Sequence, residues 1–156
     1  IKVEGVRRAK ESDLSRIAEI FVFAKRVHYR AIVQDDVLCF RKLQVLPTAE
    51  MFSQQLDTLW VYDREIVWGF VGVEDAEIKQ LFVDPLLESC GVGRKLLSFG
   101  VNEAGGRFLW ALEENIRALK LYERYGFVRT GKRERVDGTG VYAIQLALNT
   151  EMCERG

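Results

Sequence analysis

Two glycines stand where a loop becomes a helix and could bind phosphate. Gly91 and Gly93 follow an apolar segment, Glu77–Val83, that predicts a strand, and a helical pattern begins at Gly91. Glycine lets a ligand approach the backbone closely, and the first amides of a helix have no acceptor within the helix. The helix dipole adds partial positive charge at that end. We therefore predict a phosphate-binding turn at the glycine pair.

A tyrosine downstream could supply a proton. The segment Asn115–Phe127 reads N-I-R-A-L-K-L-Y-E-R-Y-G-F, and helical spacing puts Tyr122 on one stripe with Asn115 and Ala118. A tyrosine with an ordinary pKa of about 10 stays protonated at neutral pH and can protonate a leaving group. Taken alone, Tyr122 would be a core residue and Asn115 a helix cap. The glycine pair upstream favours a functional site instead.

Together the two motifs resemble the acyl-coenzyme A site of the GCN5-related N-acetyltransferase (GNAT) family. Asn115–Phe127 satisfies every fixed position of the pattern N-x-x-A-x-x-x-Y-x-x-x-G-F. The glycine pair fits the pattern Gln or Arg, two residues, Gly, one residue, then Gly or Ala, but Glu88 stands where Gln or Arg is usual. A carboxylate there is unfavourable beside a diphosphate unless it points away. The chain lacks the G-K-[ST] of a P-loop and the third glycine of the dinucleotide fingerprint.

The resemblance assigns roles to particular residues. It implies acetyl-CoA as co-substrate, no metal, and Tyr122 as the acid that protonates the departing thiolate. It implies that Asn115 contacts the coenzyme and that the fourth strand holds the pantetheine arm with backbone groups. Glu77 has the spacing of the catalytic glutamate in protein-lysine acetyltransferases of the family, and Glu113 and Glu114 are the next candidates for the base. The residues expected to bind the coenzyme are Leu81, Phe82, Val83, Glu88, Ser89, Cys90, Gly91, Val92, Gly93, Arg94, Lys95, Asn115 and Tyr122.

The site for the amine acceptor leaves fewer signals in the sequence. A lysine-like amine costs roughly 4–5 kcal/mol to neutralise at pH 7, so it needs a base or a water relay. On a regularly alternating strand Glu77, Lys79, Leu81 and Val83 would share one face. The resemblance implies an acceptor pocket near the end of the first helix, where His28 stands, although a solvated helix end explains His28 more simply.

Composition limits the function classes. Lys plus Arg and Asp plus Glu both number 23, so no net charge draws the chain to nucleic acid or membrane. No apolar run approaches the ~20 residues that span a bilayer, and no leader peptide is recognised. The odd set Cys39, Cys90 and Cys153 has no metal-ligand spacing and fits reduced thiols in the cytoplasm. Cys90 as a nucleophile is the alternative, but it would need the distant His28.

The pattern of elements predicts a single α/β domain over residues 1–156, with a core from about Val3 to Leu148. We expect a GNAT-type mixed, mostly antiparallel sheet of about six to seven strands flanked by about four helices. The first helix should run to about Val27. The late strand Val141–Leu148 could be a pairing edge, so a homodimer is compatible with the sequence.

The resemblance therefore predicts a cytoplasmic, bacterial-type N-acetyltransferase. It would transfer acetyl from acetyl-CoA to a primary amine of a small molecule or peptide, by direct attack in a ternary complex, with neither nucleic acid nor membrane as partner. The alternative is a non-catalytic acyl-CoA-binding module or sensor, which the unusual Glu88 keeps open.

Overall fold

The computed structural model describes residues 5–34, 43–88, 90–136 and 138–149. Within these ranges the helices and strands are, in chain order, β1 (Val6–Arg8), α1 (Leu14–Val33), α2 (Val45–Ser53), β2 (Leu59–Arg64), β3 (Ile66–Glu74), β4 (Glu77–Val83), α3 (Val92–Asn102), β5 (Phe108–Leu112), α4 (Ile116–Tyr125), β6 (Phe127–Arg135) and β7 (Tyr142–Leu148). Short 3-10 turns precede α1 and β2 and follow β4. The predicted α/β fold, with its strand and helix numbers, is confirmed.

The seven strands form one sheet in the order β1-β2-β3-β4-β5-β7-β6. Every neighbouring pair is antiparallel except β4 and β5, which are parallel. Those two strands share a single register pair, Glu77 with Phe108, where both begin. Their carboxyl ends, at Val83 and Leu112, therefore separate and open a gap in the middle of the sheet.

Helices cover both faces of the sheet and bury two cores. On one face α1 and α2 pack with the strands around Ile17, Ile20, Phe21, Val22, Phe52, Leu59, Val61, Val67 and Phe70. On the other face α3 and α4 contribute to a core that includes Val71, Val92, Leu96, Leu97, Leu109, Leu119, Phe127 and Leu146. None of the helices in the described ranges is long and apolar enough to cross a membrane.

A bulge in β4 changes which of its residues share a face. The register of β4 against β3 shifts by one residue around Lys79, which is opposite no residue of β3. Ile78, before the shift, and Leu81, after it, both pack in the core under α3, which regular alternation would forbid. The extra residue has reversed the alternation. Glu77, next to Ile78, therefore lies on the face opposite Leu81, and the predicted common face of Glu77, Lys79, Leu81 and Val83 is wrong.

Helix α1 extends further than its sequence pattern predicts. It ends at Val33 rather than near Val27, and Gln34 stops it in a left-handed conformation with φ of 55°. The N–H of Gln34 donates to the carbonyl four residues back at 2.8 Å. The additional turns carry His28 and Tyr29, so both residues lie within the helix rather than beyond its end.

The edges of the sheet are β1 and β6, and β7 lies inside it. The segment Val141–Leu148 was a candidate pairing edge, but β7 hydrogen-bonds to β5 on one side and β6 on the other. That prediction is wrong because the hairpin of β6 and β7 places β7 between β5 and β6. In β6 every residue after Phe127 is exposed.

Candidate active site

A cavity of about 440 Å³ opens where β4 and β5 separate. Helices α1 and α4, the loop after β4 and the first turn of α3 complete its walls. Most residues predicted to bind the coenzyme line it, namely Leu81, Phe82, Val83, Glu88, Gly91, Val92, Gly93, Arg94, Asn115 and Tyr122. The fold thus brings the glycine turn and the tyrosine helix to one place.

The first turn of α3 presents unpaired backbone amides to this cavity. Gly91 is the N-cap, with φ of +78° and no side chain to cap the helix. The helical bonding starts with the N–H of Lys95, which donates to the carbonyl of Gly91 at 3.2 Å. The amides of Val92, Gly93 and Arg94 therefore lack a helical acceptor. A Cβ placed on Gly91 would meet no atom within 4 Å, so the space above the turn is open. This terminus fits a diphosphate.

Tyr122 is half-buried in the wall of the cavity, on α4. Burial raises the pKa of its hydroxyl, the neighbouring Tyr29 raises it further, and Arg117 lowers it in part. The phenol therefore keeps its proton at neutral pH, as a proton donor must. Asn115 caps α4, since its Oδ1 accepts a hydrogen bond from the N–H of Ala118 at 3.3 Å, and it also lines the cavity.

Three charged or polar side chains meet across the cavity from three elements. His28 Nε2 on α1 lies 2.5 Å from Glu88 Oε1, and Arg117 Nη2 on α4 lies 2.9 Å from Glu88 Oε2. Arg117 Nη1 lies 3.4 Å from the same His28 Nε2. The His28 side chain is 23% exposed, so the interpretation of a solvated helix end is wrong. The sequence carried no signal for this cluster, because the partners stand 60 and 89 residues apart.

A basic surface on α4 continues from the cavity and was missed in the sequence. A depression beside it is lined by Arg94, Arg117, Lys120, Leu121 and Arg124. The three cations of α4 follow helical spacing, which puts them on one face. That spacing could have revealed the basic face from the sequence alone. Its charge suits the phosphates of a coenzyme.

Other predicted site residues lie elsewhere. Glu77 begins β4 and is not among the residues that line the cavity. Lys95 uses its amide within α3, and its Nζ lies 3.4 Å from the hydroxyl of Tyr62. Cys90 is exposed outside the lining. Ser89 lies outside the described residues.

Two other candidate groups, the carboxylate of Glu113 and the imidazole of the Cys90–His28 pair, hydrogen-bond to other side chains. Glu113 accepts hydrogen bonds from the guanidinium of Arg133, at 2.9 Å and 3.2 Å. The imidazole of His28 pairs with Glu88, so a Cys90–His28 pair is not formed. Cys39 and Cys153 lie outside the described residues. In the part of the chain that the structure describes, no group of His, Cys, Asp or Glu could hold a metal ion.

Known proteins share both the sequence pattern and the fold. The family model described as "Acetyltransferase (GNAT) domain" matches residues 55–129. Peptidyl-lysine N-acetyltransferase YjaB of Escherichia coli K12 is 34% identical over 112 residues, which are 72% of this chain and 68% of that protein. The solution structure of apo-form YjaB from Escherichia coli superposes with a TM-score of 0.71 at 24% identity, over 91% of this chain and 95% of the other. The structure of yncA from Salmonella typhimurium with its cofactor acetyl-CoA gives a TM-score of 0.62 at 23% identity, over 92% of this chain and 93% of the other.

Proposed function

The chain belongs to the GCN5-related N-acetyltransferase family and is an acetyl-CoA-dependent N-acetyltransferase, and from that premise we propose that its acceptor is a lysine side chain of a peptide or protein. The curated relative YjaB is named for peptidyl-lysine acetylation, which supports this acceptor class. The observation that supports acetyl transfer at this site is the cavity itself, whereas the acceptor class rests on the named relative. The cavity joins the uncapped start of α3 to the protonated phenol of Tyr122 at an opening through the sheet.

We propose the following roles for the residues of the cavity. Acetyl-CoA, when bound, supplies an acetyl group activated as a thioester. The amides of Val92, Gly93 and Arg94 hold the diphosphate, because the helix start offers unpaired N–H groups and positive potential. Backbone groups of Leu81, Phe82 and Val83, at the open edge of β4, hold the pantetheine arm, and Asn115 contacts the coenzyme from α4.

The acid step belongs to Tyr122 in this proposal. The amine nitrogen attacks the acetyl carbonyl carbon directly in a ternary complex, and the bond between carbon and sulfur breaks. Tyr122 gives its proton to the departing sulfur, which would otherwise leave as a thiolate. The raised pKa of Tyr122 supports this role, since the phenol remains protonated at neutral pH and can donate its proton.

The test measures thiol release from acetyl-CoA together with the mass of the acceptor. The panel contains a peptide with one lysine and a blocked amino terminus, the same peptide with arginine in place of lysine, and a small diamine. We expect release of coenzyme A and a single added acetyl group on the lysine peptide only. Release with the diamine alone would overturn the peptide assignment.

The alternative function is a non-catalytic acyl-CoA-binding module, which the departure of Glu88 from the family pattern keeps open. Isothermal titration separates the two functions. Binding of acetyl-CoA without thiol release, for every amine in the panel, would favour the module.

We further propose a bacterial, cytoplasmic setting, supported by the bacterial origin of the relatives. If two copies pair through the sheet, the edge strands are β1 and β6, of which β6 is the longer.

A further inference from the structure

His28 is the single histidine of the chain and lies in the cavity with Tyr122. It comes from α1, whereas Tyr122 comes from α4, so the two side chains reach the cavity from different walls. Acetyl transfer to a lysine needs a proton acceptor as well as a proton donor, because the amine is protonated at neutral pH. Imidazole is the side chain that most readily accepts a proton in this pH range.

The partners of His28 determine which nitrogen carries its proton. A carboxylate can only accept a hydrogen bond, and a guanidinium can only donate one. Nε2 lies 2.5 Å from Glu88 Oε1 but 3.4 Å from Arg117 Nη1. The shorter contact assigns the N–H to Nε2, with Glu88 as acceptor. In the neutral ring Nδ1 then carries the lone pair, because Glu88 and Arg117 both contact the ring at Nε2.

Resting on the proposed function, we propose that His28 accepts the proton of the incoming lysine amine, and that Glu88 and Arg117 position it. Glu88 holds the ring through Nε2 and stabilises the imidazolium that forms. Arg117 binds the other oxygen of Glu88 at 2.9 Å and balances its charge beside the diphosphate site. This gives Glu88, which departs from the family pattern, a role of its own.

The proton balance of the reaction is complete with these groups. The ammonium of the acceptor gives one proton to His28 Nδ1, which later passes it to water. The free lone pair forms the bond between nitrogen and the acetyl carbon, and the bond between carbon and sulfur breaks. Sulfur takes the proton of Tyr122. The attacking nitrogen loses a second proton as the amide forms, and this proton restores the phenol.

Several titratable or charged groups surround His28 and enter any pH dependence. Lys25 and Tyr29 lie on its own helix, Glu88 on the loop, Arg94 on α3, and Arg117, Tyr122 and Arg124 on α4. Burial lowers the pKa of Lys25 and raises that of Tyr29. A kinetic profile alone would therefore mix several groups, and the experiment needs a signal from the imidazole itself.

The first experiment observes the imidazole without substrate. Because the chain has a single histidine, a ¹⁵N-labelled sample gives one imidazole N–H signal without assignment problems. We expect a solvent-protected Nε2–H proton in the parent protein and its loss in Glu88→Ala. Glu123→Gln is the control, since Glu123 pairs with Arg129 on the exposed surface outside the cavity. A solvent-protected Nε2–H signal that persists in Glu88→Ala would overturn the assigned pair.

The second experiment measures kcat against pH with the lysine peptide. His28→Gln keeps an N–H that can donate to Glu88 but cannot take up a proton. We expect kcat at pH 7 to fall about 100-fold, with KM for acetyl-CoA within about twofold of the parent. The residual rate should rise about tenfold per pH unit toward pH 9, because the neutral amine fraction rises in that way.

The outcomes separate the two proposals. A parent protein that acetylates no lysine peptide overturns the proposed function and this inference with it. An active parent whose His28→Gln variant keeps the parental rate, or loses the same factor at every pH, overturns the inference alone. The rate of Glu123→Gln should follow the parent throughout.

Discussion

At the scale of single residues, Tyr122 combines exposure to the cavity with an environment that keeps it protonated. Its ring packs against the ring of Phe127, with centroids 6.3 Å apart. This contact helps to orient the ring and its hydroxyl group. Desolvation disfavours the phenolate and raises the pKa, while Arg117 opposes this only in part. A donor that keeps its proton can serve a leaving thiolate over a wide pH range.

Tyr122→Phe tests this role directly. We expect kcat to fall by about 10²-fold or more, because a positioned general acid contributes a factor of this size. Binding of acetyl-CoA, measured by isothermal titration, should stay within about twofold of the parent, since the ring is retained. Tyr125→Phe on the same helix is the matched control. Tyr125 accepts a hydrogen bond from Asn102 at 3.3 Å outside the cavity, so its removal should leave kcat unchanged.

At the scale of elements, the start of α3 places its two glycines in different conformations. Gly91 has a positive φ of +78°, whereas Gly93 lies inside the helix. A Cβ on Gly93 would lie 3.5 Å from Leu121 and 3.8 Å from Val83, which are ordinary contacts. The turn therefore requires glycine at the first position and tolerates a methyl group at the second.

Alanine substitutions at the two glycines should differ in their effect on stability. Gly91→Ala should lower the free energy of unfolding by about 1 kcal/mol, because left-handed backbone is strained for alanine. It should also weaken acetyl-CoA binding, since relaxation of the turn moves the amides. Gly93→Ala should leave stability equal or raise it by about 0.5 kcal/mol, because alanine favours helix over glycine. Urea unfolding and isothermal titration measure both quantities. Equal losses in the two variants would contradict this account of the turn.

At the scale of the whole molecule, an ionic cluster ties the first strand to the rest of the fold. Arg7 on β1 donates to Asp13 at 2.8 Å and 3.0 Å, and to Asp63 on β2 at 3.0 Å. The hydrogen bonds from Arg7 hold the pKa of Asp13 below its usual range, against a desolvation that raises it, and the backbone N–H of Lys10 lowers it further. Asp13 is nearly buried, with 8% of its side chain exposed.

Stability should therefore fall in acid through Asp13. A carboxyl whose pKa is lower in the folded state stabilises the fold above its unfolded pKa of about 3.9 and loses that contribution as the pH falls further. Asp13→Asn should lower the free energy of unfolding at pH 7 by about 1–2 kcal/mol. It should also reduce the loss of stability between pH 5 and pH 2, a window of about three units. Urea unfolding at several pH values measures both effects. Glu123→Gln should change stability by less than about 0.5 kcal/mol, and an equal effect there would contradict the assignment.

Much of the fold follows from local pattern. The bounds of β4 and the cap of α4 at Asn115 agree with the sequence prediction. These features depend on neighbouring residues, through side-chain periodicity, turn residues and capping hydrogen bonds. The glycine turn and Tyr122 could be recognised for the same reason, since each is a short motif.

The sequence by itself thus determined the fold class, and it predicted the glycine turn and Tyr122 as candidate site features. Only the tertiary structure decided that β4 carries a bulge, that β7 lies inside the sheet and that His28, Glu88 and Arg117 meet in the cavity. The physical reason is that register and the meeting of distant side chains depend on how strands and helices pack against one another. A contact across 60 residues leaves no period or spacing in a single chain.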